Sequence, residues 1–209
     1  MAILKSKLVV GAGDFLDIAF HAWKARAADI DVQRHEVAQD RSHNFDLSFL
    51  DGHSPTETSM FVAFDNRFLN FKRLELMGAI KGRGFRMEPY IGAAALVGSG
   101  ARVGENSFIA DGAVVGDQAH LHHNIWLGPR AVVGYAAQIG HSVWVEAAVV
   151  VGARARIGAH SILGGGVSIA DQVQVGKMCV LGLPGHYAED IPAKAFYRRP
   201  FAGPIRIFN

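Results

Sequence analysis

Residues 115–144 read VGDQAHLHHNIWLGPRAVVGYAAQIGHSVW, and this stretch decides the fold. An aliphatic residue returns at every sixth position, as Val115, Leu121, Leu127, Val133 and Ile139. Stepping by six in both directions carries the series unbroken from Ile91 to Leu181. All sixteen positions hold Ile, Val or Leu, although those types fill only 48 of the 209 positions of the chain. The next residue of the hexad is Gly in twelve of the sixteen. The fifth is usually small, as in Ala95, Ala101, Ser107, Ala113, Ala119, Ala131, Ala137 and Ala155.

A period of six matches neither an α-helix nor a flat alternating strand. It fits a solenoid of very short strands joined by tight turns, each strand turning one aliphatic side chain inward. β-Branched residues suit the strand positions, and Gly suits crowded backbone at the turns. Three hexads per coil give a triangular β-helix. The eighteen-residue spacing of Tyr90, Phe108, Trp126 and Trp144 supports that number, because these rings then stack as one ladder. His123 and His141 are eighteen apart as well.

Half of the chain is hydrophobic and 19% is charged, which excludes a disordered polypeptide. A net charge of +2 without a basic run argues against a nucleic-acid partner. No stretch is apolar for long enough to span a membrane, and the N-terminus lacks the pattern of a signal peptide, so a cytoplasmic protein without membrane insertion is expected. The lone Cys179 falls in an inward fifth slot, where a core thiol is expected rather than a nucleophile.

Ahead of the repeat, Lys7–Val10 reads as a buried strand leading into Gly11-Ala12-Gly13. Asp14 is placed to cap a helix carrying Phe15, Leu16, Ile18, Ala19, Phe20 and Trp23 at helical spacing. Such a strand, glycine turn and helix start is able to hold a phosphate, which makes Gly11, Gly13 and Asp14 candidate substrate-binding residues; the full dinucleotide pattern, however, wants Gly where Leu16 stands. Residues 28–58 read as polar and irregular. Met60–Phe64 reads as a second strand, Asp65-Asn66 as a cap, and residues 67–77 as a helix, with Gly78 to Gly84 forming a hinge. The reading is therefore a small α/β domain with parallel strands over residues 1–84, a β-helix of hexapeptide repeats over 85–186, and a capping tail over 187–209.

The chain resembles the bacterial sugar acetyltransferases of the hexapeptide-repeat superfamily, which modify sialic acid or nucleotide-linked amino sugars. The resemblance rests on residues 7–13 (KLVVGAG), residues 61–67 (FVAFDNR), the hexads, Asp190-Ile191-Pro192 and residues 200–206 (PFAGPIR); Glu88-Pro89 stands where the family usually has His-Pro. It implies a left-handed parallel β-helix, a homotrimer, acetyl-CoA as acyl donor in a groove between neighbouring solenoids, and a sugar or nucleotide-sugar acceptor held by the N-terminal domain. It also implies a His as general base, which takes the proton of an amine or hydroxyl as that group attacks the thioester.

Laid against the family without gaps, the general-base slot falls on Tyr135, and the cofactor-stacking position on Trp144, with Gly165 and Leu183 further along the cofactor path. Tyr, with a pKa near 10, is a poor base at neutral pH. The same slot holds His in two other hexads, at His123 and His141, and His141 is the expected base. Two rival readings remain. One is a non-catalytic trimeric relative. The other is a site like that of the γ-type carbonic anhydrases, in which Glu146 and Glu105 stand where His ligands would accompany His141, a poor donor set for zinc.

Overall fold

The computed structural model describes residues 4–27 and 29–198, and the backbone of Ile205–Arg206. The chain forms two compact units, Met1–Glu88 and Pro89–Asn209.

The first unit contains β1 (Ser6–Gly11), α1 (Gly13–Arg26), β2 (Asp31–Glu36), β3 (Thr58–Ala63), α2 (Phe71–Gly82) and β4 (Arg86–Met87). The strands form one parallel sheet in the order β2-β1-β3-β4. β1 and β3 are buried along almost their whole length, as unbroken apolar runs in a parallel sheet must be. Gly11 is required between them, since a Cβ there would lie 1.8 Å from the Ala63 carbonyl oxygen.

Three local expectations are corrected. β2 runs through the segment read as irregular; it is an edge strand with mostly exposed polar side chains, so it carries no hydrophobic alternation to read. Asp14 does not cap α1. The N-cap is Ala12, without a side-chain bond, and Asp14 sits in the first turn, where its charge still favours the helix dipole. The second helix starts at Phe71 rather than Arg67, because Phe68, Leu69 and Asn70 take left-handed φ values of 52°, 51° and 62°. The Asp65 carboxylate accepts the Arg67 N–H, a local bond that competes with helix initiation. α2 then continues through Gly78 to Gly82, so those glycines belong to a helix and not to a hinge. Lys7 is buried beside Trp23, with its ammonium over the indole ring and paired with Glu88.

The second unit is a left-handed parallel β-helix. Its hexads form two-residue strands that pair with the hexads eighteen residues away, as Trp126 does with Phe108 and Trp144. The repeating aliphatic positions and the small fifth positions fill one continuous core. Cys179 belongs to it; burial pushes its thiol pKa upward, away from thiolate chemistry.

Two features of the hexad now have causes. A Cβ on Gly134 would stand 2.7 Å from the backbone N of Ala153 in the next coil, and the other second-slot glycines meet similar walls. The fourth slot is the left-handed corner of every turn from Asn106 to Met178, whichever residue occupies it.

The tail extends the sheets. Ile191 bridges to Val175, Ala195–Tyr197 pairs in parallel with Val180–Leu181, and Ile205–Arg206 adds an antiparallel edge. Of the tail stretch 200–206 that carries the family resemblance, residues 200–204 lie outside the described residues.

Candidate active site

Each sheet of the β-helix turns its sixth-slot residues outward, and the three faces differ. One carries the stacked rings of Tyr90, Phe108, Trp126 and Trp144, with centroids 4.6 to 4.9 Å apart. A second carries Leu96, Val114, Val132 and Val150 in register, with Leu96 and Val150 exposed. The third is polar, formed by Arg102, His120, Gln138, Arg156 and Gln174.

Histidines gather where the polar face turns into the aromatic one. His123 and His141 lie on successive coils with their rings parallel, 5.1 Å between centroids. His160 meets His141 edge to face at 4.9 Å and 90°. The corner is stiff. The Asn124 side-chain amide donates to Ser142 Oγ at 3.0 Å and its oxygen accepts from the Asn106 amide at 2.9 Å, and all three residues are buried.

The Nδ1 atom of His141 is buried and has no hydrogen-bond partner among the described residues. Burial lowers the pKa of this ring below the usual histidine value, and the neighbouring His160, His123, His122 and Lys177 lower it further. No carboxylate acts to raise it. The imidazole is therefore held neutral at pH 7, in the form that accepts a proton.

Of the residues anticipated from sequence, His123 and His141 come together, and Tyr135 does not join them. It occupies the corner that leads from the aliphatic to the polar face, where its hydroxyl donates to Gln118 at 2.9 Å and its ring packs under Arg154. Gly165 and Leu183 share the remaining corner. Trp144 is 7% exposed, with its indole N–H given to Glu146 and its face stacked on Trp126, which leaves it little surface for a ligand. In the first unit, Gly13 and Asp14 are exposed at the open start of α1, while Gly11 is buried. Among the described residues, no three His, Cys, Asp or Glu side chains are grouped to hold a metal ion.

His160 escapes a search by columns of eighteen, whereas Lys177, thirty-six residues after His141, stands in the same column. His160 lies nineteen residues after His141, in the fourth slot of its hexad, and only the turn geometry brings the rings together.

A groove of about 770 Å³ opens on the polar face and reaches this corner. Its floor is Gly140, Gly158 and Gly176, bare because a Cβ on any of them would strike the next coil. Gln138, Arg156, Gln174, His122 and Lys177 rise around the floor, and the Ile191-Pro192-Ala193 segment closes one end.

Residues 86–186 match the family model of the GMPPB C-terminal domain. Among solved structures, the acetyltransferase domain of PglB from Neisseria gonorrhoeae superposes with a TM-score of 0.76 at 22% identity, covering 92% of this chain and 95% of that one. The same domain in complex with acetyl coenzyme A gives the same figures. PerB from Caulobacter crescentus, in complex with CoA and GDP-perosamine, superposes at 0.56 with 20% identity over 92% and 93% of the two chains. The chain shares their fold. No curated protein sequence matches it. The resemblance read from the hexads thus holds at the level of architecture, and the likeness extends over nearly the full length of each chain.

Proposed function

We propose that this protein is an acetyltransferase that moves an acetyl group from acetyl-CoA to an amino or hydroxyl group of a nucleotide-linked sugar, with His141 as general base. One observation carries the reading: burial and its neighbours keep the His141 ring neutral, its buried Nδ1 has no hydrogen-bond partner among the described residues, and the adjacent Gly140 lines an open groove. Such a ring is in the form that accepts the proton a reaction releases at neutral pH. In the proposed step the acceptor nitrogen or oxygen attacks the thioester carbonyl carbon as its proton passes to Nε2. The tetrahedral intermediate then breaks its C–S bond, and the departing CoA thiolate takes that proton back.

The fold supports the donor and the acceptor class, since PglB of the same architecture is an acetyltransferase domain that binds acetyl coenzyme A, and PerB binds CoA and GDP-perosamine. His123, parallel to His141, is assigned to holding the base in place. Gly165 and Leu183 are the proposed donor contacts, and the open start of α1 at Gly13 is the proposed phosphate holder. The exposed row of Leu96 and Val150 is the proposed homotrimer contact, and a cytoplasmic setting suits both substrates.

Acetyl transfer measured with His141→Ala tests the assignment: full activity in that variant would sink it. The second reading, a non-catalytic scaffold, is favoured by Tyr135, whose hydroxyl is committed to Gln118 in the slot where the resembling family has its base. Calorimetric titration with acetyl-CoA separates the two readings, because a scaffold shows no binding.

A further inference from the structure

We infer that the groove on the polar face is an anion subsite that takes a phosphate or carboxylate group of a reactant, held by Arg156 and Lys177. The inference deepens the proposed reaction by assigning residues to the charged part of a reactant.

Three observations support it. The cations are available: Arg156 and Lys177 line the groove beside His122, make no ion pair among the described residues, and are exposed. The only carboxylate on the lining, Asp190, is engaged in accepting the backbone N–H of Gln174 at 2.8 Å. The floor supplies no donors of its own. The N–H groups of its three glycines are all spent on carbonyls of the next coil, as Gly158 N–H is on Val175 at 2.7 Å, and Pro192 at the closed end has none. Recognition therefore falls on side chains. A guanidinium and an ammonium flanked by the amides of Gln138 and Gln174 suit an oxyanion, which accepts several charge-assisted hydrogen bonds. An uncharged ligand would leave both cations uncompensated. Lys177 also depresses the basicity of His141, so an anion seated there would offset part of that effect.

The test is calorimetric titration of the full chain with inorganic pyrophosphate, comparing wild type with an Arg156→Gln/Lys177→Gln double variant. Both side chains are exposed, and a thermal melt checks that the variant folds. Arg102→Gln, on the same face outside the groove, is the control. The inference predicts binding to wild type and to the control, weakened about tenfold or more in the double variant and by added salt. No binding to wild type, or equal binding to the double variant, would overturn it. Titrations with CoA and with guanosine diphosphate then identify the source of the anion. Selective weakening of CoA assigns it to the donor, selective weakening of guanosine diphosphate assigns it to the acceptor, and both results uphold the subsite. Pyrophosphate binding needs no chemistry. If acetyl transfer is absent while the double variant still loses pyrophosphate, the proposed function fails and the subsite stands.

Discussion

His160 closes on His141 edge to face, with ring centroids 4.9 Å apart and planes at 90°, and its backbone N–H also donates to the His141 carbonyl at 3.1 Å. One histidine thus braces another at this corner. A carboxylate partner raises the basicity of an imidazole, whereas a cation-forming partner lowers it. This corner trades basic strength for a base that stays unprotonated in mild acid.

That arrangement fixes a pH profile. The acid limb of kcat/KM for acetyl transfer is expected below the ordinary histidine value of 6.5, because the His141 pKa is lowered by burial first and by its neighbours second. His141→Asn should reduce kcat by about a hundredfold or more, the usual contribution of a general base. A limb above 6.5, or an unchanged kcat, would count against the assignment.

Stability should follow the same group. The folded ring has the lower pKa, so below 6.5 the unfolded chain binds the extra proton first and acid favours unfolding. The loss begins near pH 6.5, grows as pH falls toward the folded value, and is complete below it. Tm measured from pH 7.5 to 5 should decline, and His141→Gln should flatten the decline without lowering Tm at pH 7.5 by a comparable amount.

Coil spacing leaves no room for a side chain at Gly134. Gly134→Ala places a methyl 2.7 Å from the Ala153 backbone N, and backbone cannot rotate away as a side chain can. A loss of about 1–3 kcal/mol is expected from chemical denaturation, the usual cost of overpacking. A neutral result would mean that the coils separate more easily than their hydrogen bonds allow.

The buried ladder at the corner gives a further measure. Asn124→Ala removes the acceptor that the Asn106 amide uses and the donor to Ser142 Oγ, and places Ala in a left-handed turn of φ 63°. About 1–3 kcal/mol is expected for the buried polar groups that lose these bonds. Asn124→Asp, which keeps an acceptor for Asn106, should recover part of the loss at a pH where the acid is protonated.

Tyr135→Phe separates the two candidate corners. It removes only the bond to Gln118 at an exposed site, so acetyl transfer should change less than about twofold and stability by about 0.5 kcal/mol or less. A hundredfold loss would move the base to Tyr135 and away from His141.

How much of this was legible in the sequence depends on whether a feature repeats. The aliphatic column, the inward Cys179 and the aromatic ladder follow from a period of six and its multiple eighteen, because each strand pairs with its equivalent in the next coil. The parallel pair β1 and β3 was legible from two unbroken apolar runs. β2 was not, since an exposed edge strand needs no apolar pattern, and the start of α2 was hidden by a left-handed turn that no glycine announces.

By itself the sequence determined the β-helix, because core burial and coil-to-coil hydrogen bonding are satisfied by a strict local repeat. It also placed His123 and His141 in one column. Only the tertiary structure decided that His160 joins His141 across the turn. It alone showed that Nδ1 of His141 is buried without a hydrogen-bond partner among the described residues, and that Gly140, Gly158 and Gly176 floor a groove. The physical reason is that a column of eighteen specifies which residues stack along the coils. What meets across a turn is set by the left-handed fourth slot and by packing between coils, which no spacing along the chain records.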